Sequence, residues 1–158
     1  NACIHTNPAL PREAVTTVLM LGLAGGGALS SIYKIFPRAR VSVVEYDPQM
    51  IAIAQKLQLQ GRFPFPTVYQ GDAATVLGTL PHAFDIIIVD LFVGIEPSAL
   101  LFDSTFVATL KSKITHHGTI IANVCLRPGH LAVLEQAFTH AEQWTYDRNT
   151  FGAYWDTQ

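Results

Sequence analysis

Four acids mark this chain as a candidate for chemistry. Glu45 closes the apolar stretch VSVVE, Asp72 follows TVYQG, Asp90 closes FDIIIVD, and Glu96 stands in the loop beyond it. Ahead of all four, the apolar VLML runs into Gly22-Leu23-Ala24-Gly25-Gly26-Gly27. Glycine lacks a Cβ, so backbone there can approach a ligand closely, and a helix starting beyond it presents free N–H groups. A carboxylate after the second apolar stretch can accept two hydrogen bonds from ribose hydroxyls. That task is assigned to Glu45, because Asp47 followed by Pro48 has the makings of a helix cap. Asp72 can accept from an adenine amino group or cap the next helix. Capping is the better reading of Asp72 alone, and adenine contact the better one beside the glycine turn and Glu45. Asp90 would face the reacting part of a ligand, where a carboxylate can orient an amine or take its proton after desolvation. The alternative for Asp90 is a structural acid bonded to its own loop. Glu96 is a weaker second acid.

The elements that must carry these residues alternate. Short apolar or β-branched segments, Val18–Leu21, Val41–Glu45, Thr67–Tyr69, Phe84–Asp90 and Thr119–Val124, read as strands. Helical patterns follow the glycine turn over about 28–36, follow Asp47 with Met50, Ile53, Ala54 and Leu57 on one face, and cover 74–80. Phe106, Leu110 and Ile114 stripe a fourth helix, and Leu131, Leu134 and Phe138 a fifth; His117-Gly118 reads as a turn, and residues 61–66 as another. The continuous apolar core of FDIIIVD implies a strand covered on both faces, as in parallel sheets. The tail QWTYDRNTFGAYW reads as two aromatic strands around a polar turn, with Trp144 and Trp155 packing within it. The sum is an α/β three-layer sandwich with a mostly parallel seven-stranded sheet and a C-terminal antiparallel hairpin. Ligands of such sheets bind beyond the carboxyl ends of the strands, where the four acids stand.

Composition narrows the classes. The chain has 158 residues, 49% hydrophobic and 14% charged, enough for one domain with a sizeable core. A net charge of −2 offers no basic surface for nucleic acid or an anionic membrane. Every apolar run is interrupted before membrane-spanning length, and the start lacks the pattern of a signal peptide. A cytoplasmic setting and a small-molecule substrate are therefore expected. Cys3 and Cys125 cannot build a disulfide framework, and the histidines lack metal-ligand spacing, so no metal is expected. Neither a nucleophile elbow nor a P-loop is present. The dinucleotide fingerprint G-x-G-x-x-G fails at Ala24, which ranks a nicotinamide-dependent oxidoreductase last.

Taken in order, VLMLGLAGGG, VVEYDP, GDA and FDIIIVD resemble the spermidine-synthase-like branch of the class I S-adenosylmethionine-dependent methyltransferase superfamily, with its Rossmann-like fold. The resemblance runs from about Val18 to Val124, and His5-Thr6-Asn7-Pro8 is similar to the segment that precedes the first strand in spermidine synthases. It implies that Gly22, Gly25 and Gly26 pass under the amino-acid part of the cofactor, that Glu45 holds the ribose, and that Asp72 with Ala73 contacts adenine. The implied cofactor-binding set is Gly22, Leu23, Ala24, Gly25, Gly26, Glu45, Tyr46, Asp72, Ala73 and Asp90. Leu21, where classical methyltransferases often carry an acid, favours the spermidine-synthase-like branch. Two departures stand out. Aminopropyltransferases carry a second acid three residues after the one matching Asp90, where this chain has Val93. They also have an N-terminal β domain, and this chain begins about where that domain would end, so residues 1–17 are expected to be a lead-in to a single domain over 1–158, with no such β domain in it.

The expected activity is therefore transfer from S-adenosylmethionine, or its decarboxylated form, most simply of a methyl group, with Asp90 as catalytic residue. Aminopropyl transfer to a polyamine, as in polyamine biosynthesis, is the alternative, with Asp90 and Glu96 sharing the acidic work. A catalytically silent cofactor-binding or scaffold module is the third reading. Relatives of this kind often form homodimers.

Overall fold

The computed structural model describes residues 6–23, 26–58, 64–125 and 127–156. The expected turn at 61–66 lies partly outside them, and Cys3, His5, Ala24 and Gly25 lie wholly outside. Seven strands form one sheet: β1 (Thr17–Leu21), β2 (Arg40–Glu45), β3 (Thr67–Gln70), β4 (Phe84–Val89), β7 (Ile114–Asn123), β8 (His140–Tyr146) and β9 (Asn149–Trp155). A separate two-stranded hairpin joins β5 (Phe92–Val93) to β6 (Glu96–Pro97). The helices are α1 (Gly27–Ile35), α2 (Pro48–Gln58), α3 (Ala73–Thr79), α4 (Ser104–Ser112) and α5 (Ala132–Ala137).

The sheet order is β3-β2-β1-β4-β7-β9-β8. The chain runs outward from β1 to β3, then returns to place β4 on the other side of β1. That reversal puts the topological switch point between β1 and β4. Only β9 opposes the rest, lying antiparallel between β7 and β8.

Period-two alternation divides the core. In β1, Leu19 and Leu21 face one layer, with Leu77, Phe106 and Leu110 from α3 and α4. Val18 and Met20 face the other, with Leu29, Ile32 and Tyr33 from α1 and Ala54 from α2. Both sets are buried, which is why the parallel strands read as unbroken apolar runs. Trp155 is buried and stacks on His140, while Trp144 stacks on Phe151, so both tryptophans pack within the last strands as expected.

Three local expectations are corrected. Ile114 begins β7 rather than closing α4, whose last turn is followed by Lys113 as C-cap. His117-Gly118 lies within β7 instead of forming a turn before it. Opposite β4, the register passes from Phe84↔Ile114 to Ile86↔Thr119, so the intervening β7 residues bulge out. A Cβ on Gly118 would lie 3.0 Å from Ile114 and from the Thr115 backbone, so this compact bulge favours glycine. On α2, Ala54 is buried and Ile51 packs against the core, whereas Ile53 and Leu57 are 43% and 57% exposed. The helix is rotated because Gly26 leaves room for Ala54: a Cβ at Gly26 would sit 3.2 Å from Ala54 Cβ.

At the opposite end from the acids of interest, Asp85 ties three strands together. Its Oδ2 accepts from Thr16 N–H and Oγ1–H and from Thr17 N–H, and its Oδ1 from Thr115 Oγ1–H, at 2.8–3.1 Å. Burial pushes this carboxyl up, but the four hydrogen bonds outweigh burial and hold it below its ordinary value of 3.8. The native state thus binds this proton less readily than the unfolded chain. The stabilisation is complete above the ordinary value and is lost as pH falls through the lower native one. Asp85→Asn is expected to lower unfolding free energy by about 1–2 kcal/mol at neutral pH, after allowing for solvent screening. In urea melts at stepped pH, the difference from wild type should shrink below the ordinary value. A difference independent of pH would contradict the assignment.

A second stability test lies at the switch point. Gly22 has φ +87°, and a Cβ there would lie 2.3 Å from the Asp90 carbonyl oxygen. Gly22→Ala must strain the backbone and part β1 from β4, at an expected cost of about 2–4 kcal/mol. Thermal unfolding reads this directly, and a melting temperature equal to wild type would refute the close approach.

Candidate functional site

The carboxyl ends of β1, β2, β3 and β4 open into a cleft of about 750 Å³. Its lining brings together Gly22, Glu45, Tyr46, Asp72, Ala73 and Asp90, six of the residues expected from the sequence. Leu23 is buried and not part of the lining; its contribution is a backbone N–H. Ala24 and Gly25 lie outside the described residues.

Backbone hydrogen bonds fix the floor. Gly22 N–H donates to Val44 O at 2.8 Å, Asp90 N–H to Leu21 O at 2.9 Å, and Gly71 N–H to Glu45 O at 2.9 Å. Each bond carries a ladder one residue past its strand end, so the loops leave the sheet in register. Gly26 caps α1 in a left-handed conformation, φ 76°, which a side chain would resist.

Glu45 links two of these loops. Its Oε2 accepts from Leu23 N–H at 2.7 Å, and its Oε1 from Asp47 N–H at 2.9 Å. A carboxylate oxygen has two lone-pair sites, so each still has acceptor capacity toward the cleft. Asp47 Oδ1 accepts from Gln49 N–H at 2.8 Å, which bears out its reading as the cap of α2. Asp72 is the N-cap of α3, accepting from Thr75 N–H at 3.0 Å, and also lines the cleft. Its two sequence readings are therefore geometrically compatible.

Asp90 sits deeper. Asn123 Nδ2–H donates to its Oδ1 at 3.0 Å. Burial pushes the Asp90 carboxyl above its ordinary value, and the Asn123 hydrogen bond offsets part of that rise. The wall beyond Asp90 is apolar: Leu91, Phe92, Val93 and Leu100, with Ser98 the hydroxyl among them. Met50 on α2 lines the cleft from the Glu45 side.

Glu96 does not join the cleft lining. It makes a two-pronged pair with Arg127, Nε to Oε2 at 3.0 Å and Nη2 to Oε1 at 2.8 Å, on the exposed side of the β5–β6 hairpin. The Arg127 hydrogen bond holds Glu96 below the ordinary carboxylate range. This corrects its reading as a second acid of the site: the hairpin turns it away and Arg127 occupies it. Met50 in the cleft lining, and Asn123 behind Asp90, are residues that sequence reasoning missed. The signal for Asn123 was a polar residue ending the apolar strand next to FDIIIVD. Among the described residues, no group of three or more His, Cys, Asp and Glu could hold a metal ion. No helix among them is long and apolar enough to cross a membrane.

The cleft fits an adenosyl group on the chemistry of its donors and acceptors. It offers a carboxylate with spare lone pairs, an acid and a small residue at the start of α3, and in Gly22 a residue without a Cβ. Comparison with known proteins agrees on the fold. The chain is 30% identical over 147 residues to the mouse eEF1A lysine and N-terminal methyltransferase, covering 84% of this chain and 21% of that protein. It is 27% identical over 109 residues to the polyamine aminopropyltransferase of Vibrio vulnificus, covering 67% of this chain and 36% of that one. The chain thus spans well under half the length of either relative. Among solved structures, human methyltransferase-like protein 13 in complex with SAH superposes with a TM-score of 0.77 at 22% identity, covering 96% of this chain and 76% of that one. Residues 2–143 match the spermine/spermidine synthase domain, and the chain belongs to that family.

Proposed function

We propose that this chain is the cofactor-binding and catalytic domain of an S-adenosylmethionine-dependent methyltransferase acting on an amine. The observation that carries the reading is the cleft itself: Glu45 with free acceptor capacity at one side, a half-buried Asp90 at the other, and an apolar wall beyond. Bound S-adenosylmethionine supplies an electrophilic methyl group on a sulfonium, and so the harder part of the chemistry.

The residues of the chain do the rest. Glu45 accepts from the ribose hydroxyls, and Asp72 with Ala73 borders the adenine. Gly22 leaves space for the amino-acid portion beside the β1–β4 junction. Asp90 orients the acceptor amine and receives its proton, for which a carboxyl raised by burial is a better base than an exposed one. Leu91, Phe92, Val93 and Leu100 exclude water around the acceptor, which strengthens the interaction between Asp90 and an amine.

Methyl transfer is preferred to aminopropyl transfer because the cleft holds one carboxylate at its acceptor end. A polyamine carries more than one ammonium group, and the site gives a second one Val93 and a Glu96 already paired with Arg127. The relative named as a lysine and N-terminal methyltransferase supports an amine acceptor of the first kind. The aminopropyl alternative draws on the family match and on the aminopropyltransferase relatives.

Calorimetric titration with S-adenosylmethionine, its decarboxylated form, 5′-methylthioadenosine and NAD in parallel separates the readings. S-Adenosylmethionine is expected to bind most tightly, and Glu45→Ala to weaken it by more than about tenfold through loss of charge-assisted hydrogen bonds. Preference for the decarboxylated form would favour aminopropyl transfer. Binding of none, or unchanged affinity in Glu45→Ala, would overturn the site assignment.

A further inference from the structure

Asp90 is held from two directions. Its backbone N–H is fixed by Leu21 O, and its carbonyl lies where only Gly22 leaves room. Its side chain is met by Asn123 at the end of β7, a residue that is not part of the cleft lining.

An asparagine amide could face either way, as its two ends differ little in shape. Here the orientation is decided by its other partner. Asn123 Oδ1 accepts from Cys125 N–H at 3.1 Å, so the oxygen end is committed to a donor and the NH2 end must face Asp90. Cys125 N–H is itself held in place. Cys125 adopts a left-handed φ of 49°. Thr150 of β9 grips the bend on both sides, with Val124 N–H donating to Thr150 O at 2.9 Å and Thr150 N–H to Cys125 O at 2.6 Å. The antiparallel strand thus reaches the acid through a chain of three contacts: Thr150 to the Cys125 bend, Cys125 to Asn123, and Asn123 to Asp90.

We infer that Asn123 is a positioning residue for Asp90: its locked amide occupies Oδ1 and leaves Oδ2, without a hydrogen-bond partner among the described residues, as the oxygen offered to an acceptor. The inference rests on the proposed role of Asp90, but the Asn123 contact can be tested without substrate or cofactor. Donation to Oδ1 favours the ionised carboxylate that a base must be. The other titratable groups bordering the cleft are Glu45, Tyr46 and Asp47 at the end of β2 and Asp72 before α3. Cys125 lies two residues beyond the end of β7, and Glu96 and Arg127 neutralise each other beyond the hairpin. Burial and the Asn123 bond are what displace Asp90.

Asn123→Asp replaces the donor with an acceptor. It keeps the size of the side chain and an oxygen for Cys125 N–H, but places an acceptor against Asp90 Oδ1, so the two carboxyls must share a proton. The experiment is a 13C NMR titration of the whole chain labelled at aspartate side-chain carboxyls, with the Asp90 signal assigned from Asp90→Asn. In Asn123→Asp the titration assigned to Asp90 should move upward by more than about one pH unit. Asn123→Leu, which removes donor and acceptor together, should also move it upward. Asn123→Leu adds no charge and so separates loss of the donor from the repulsion that Asn123→Asp introduces; a midpoint within about 0.3 unit of wild type in either variant would overturn the inference. Should Asn123→Leu fail to fold, Asn123→Asp still decides it. Failure of S-adenosylmethionine to bind would remove the proposed function while leaving this titration, and the Asn123 contact, to stand or fall separately.

Discussion

The Glu45 carboxylate accepts from the N–H of Leu23 after β1 and from the N–H of Asp47 before α2, and the shape of the cleft depends on that pair of bonds. Two loops from neighbouring parallel strands would otherwise leave the sheet independently. Held by one carboxylate, they form a single rim that carries Tyr46 and Met50 on one side and Gly22 on the other. Across the switch point, Gly22 performs the complementary task by omission: without its Cβ, the Asp90 carbonyl closes against β1. Attraction on one side of β1 and close contact on the other set the width of the opening between them.

Electrostatics then divides the cleft. Glu45 lies where its oxygens are already served by backbone donors and partly open to solvent, which suits an acceptor for neutral hydroxyls. Asp90 lies where burial makes its charge costly and one asparagine amide returns part of that cost. Two carboxylates at the same end of the sheet thereby sit in different surroundings. The apolar wall from Leu91 to Val93 extends the dry side of this division and leaves little for a second cation to meet. Glu96, near in sequence, is spent on Arg127 at the surface.

Much of this was legible in the sequence, for a definite reason. Parallel strands covered on both faces must be apolar throughout, so VLML, VSVVE and FDIIIVD announce themselves, and their polar end residues announce the cleft. What escaped reading depends on contacts between elements distant in sequence. Met50, Ile53 and Leu57 satisfy helical spacing, but the face of α2 that the sheet accepts is set by the approach of Gly26 to the small Ala54. Hydrophobicity gives alanine little weight there. His117-Gly118 carries the signature of a turn whether the chain reverses or bulges, and only the pairing with β4 distinguishes the two. Glu96 follows Asp90 closely enough to suggest a shared site, yet a two-stranded hairpin of four paired residues turns it outward. Asn123 matters because β7 lies beside β4 in the sheet order, which no local pattern states.

The most direct measurement is a crystal structure of the chain with S-adenosylhomocysteine bound. The account predicts the ribose hydroxyls within about 3 Å of the Glu45 carboxylate, the adenine beside Asp72 and Ala73, and the sulfur on the side of the cleft toward Asp90. An adenosyl group bound elsewhere, or one seated in the cleft with Glu45 still engaged only by Leu23 and Asp47, would contradict it.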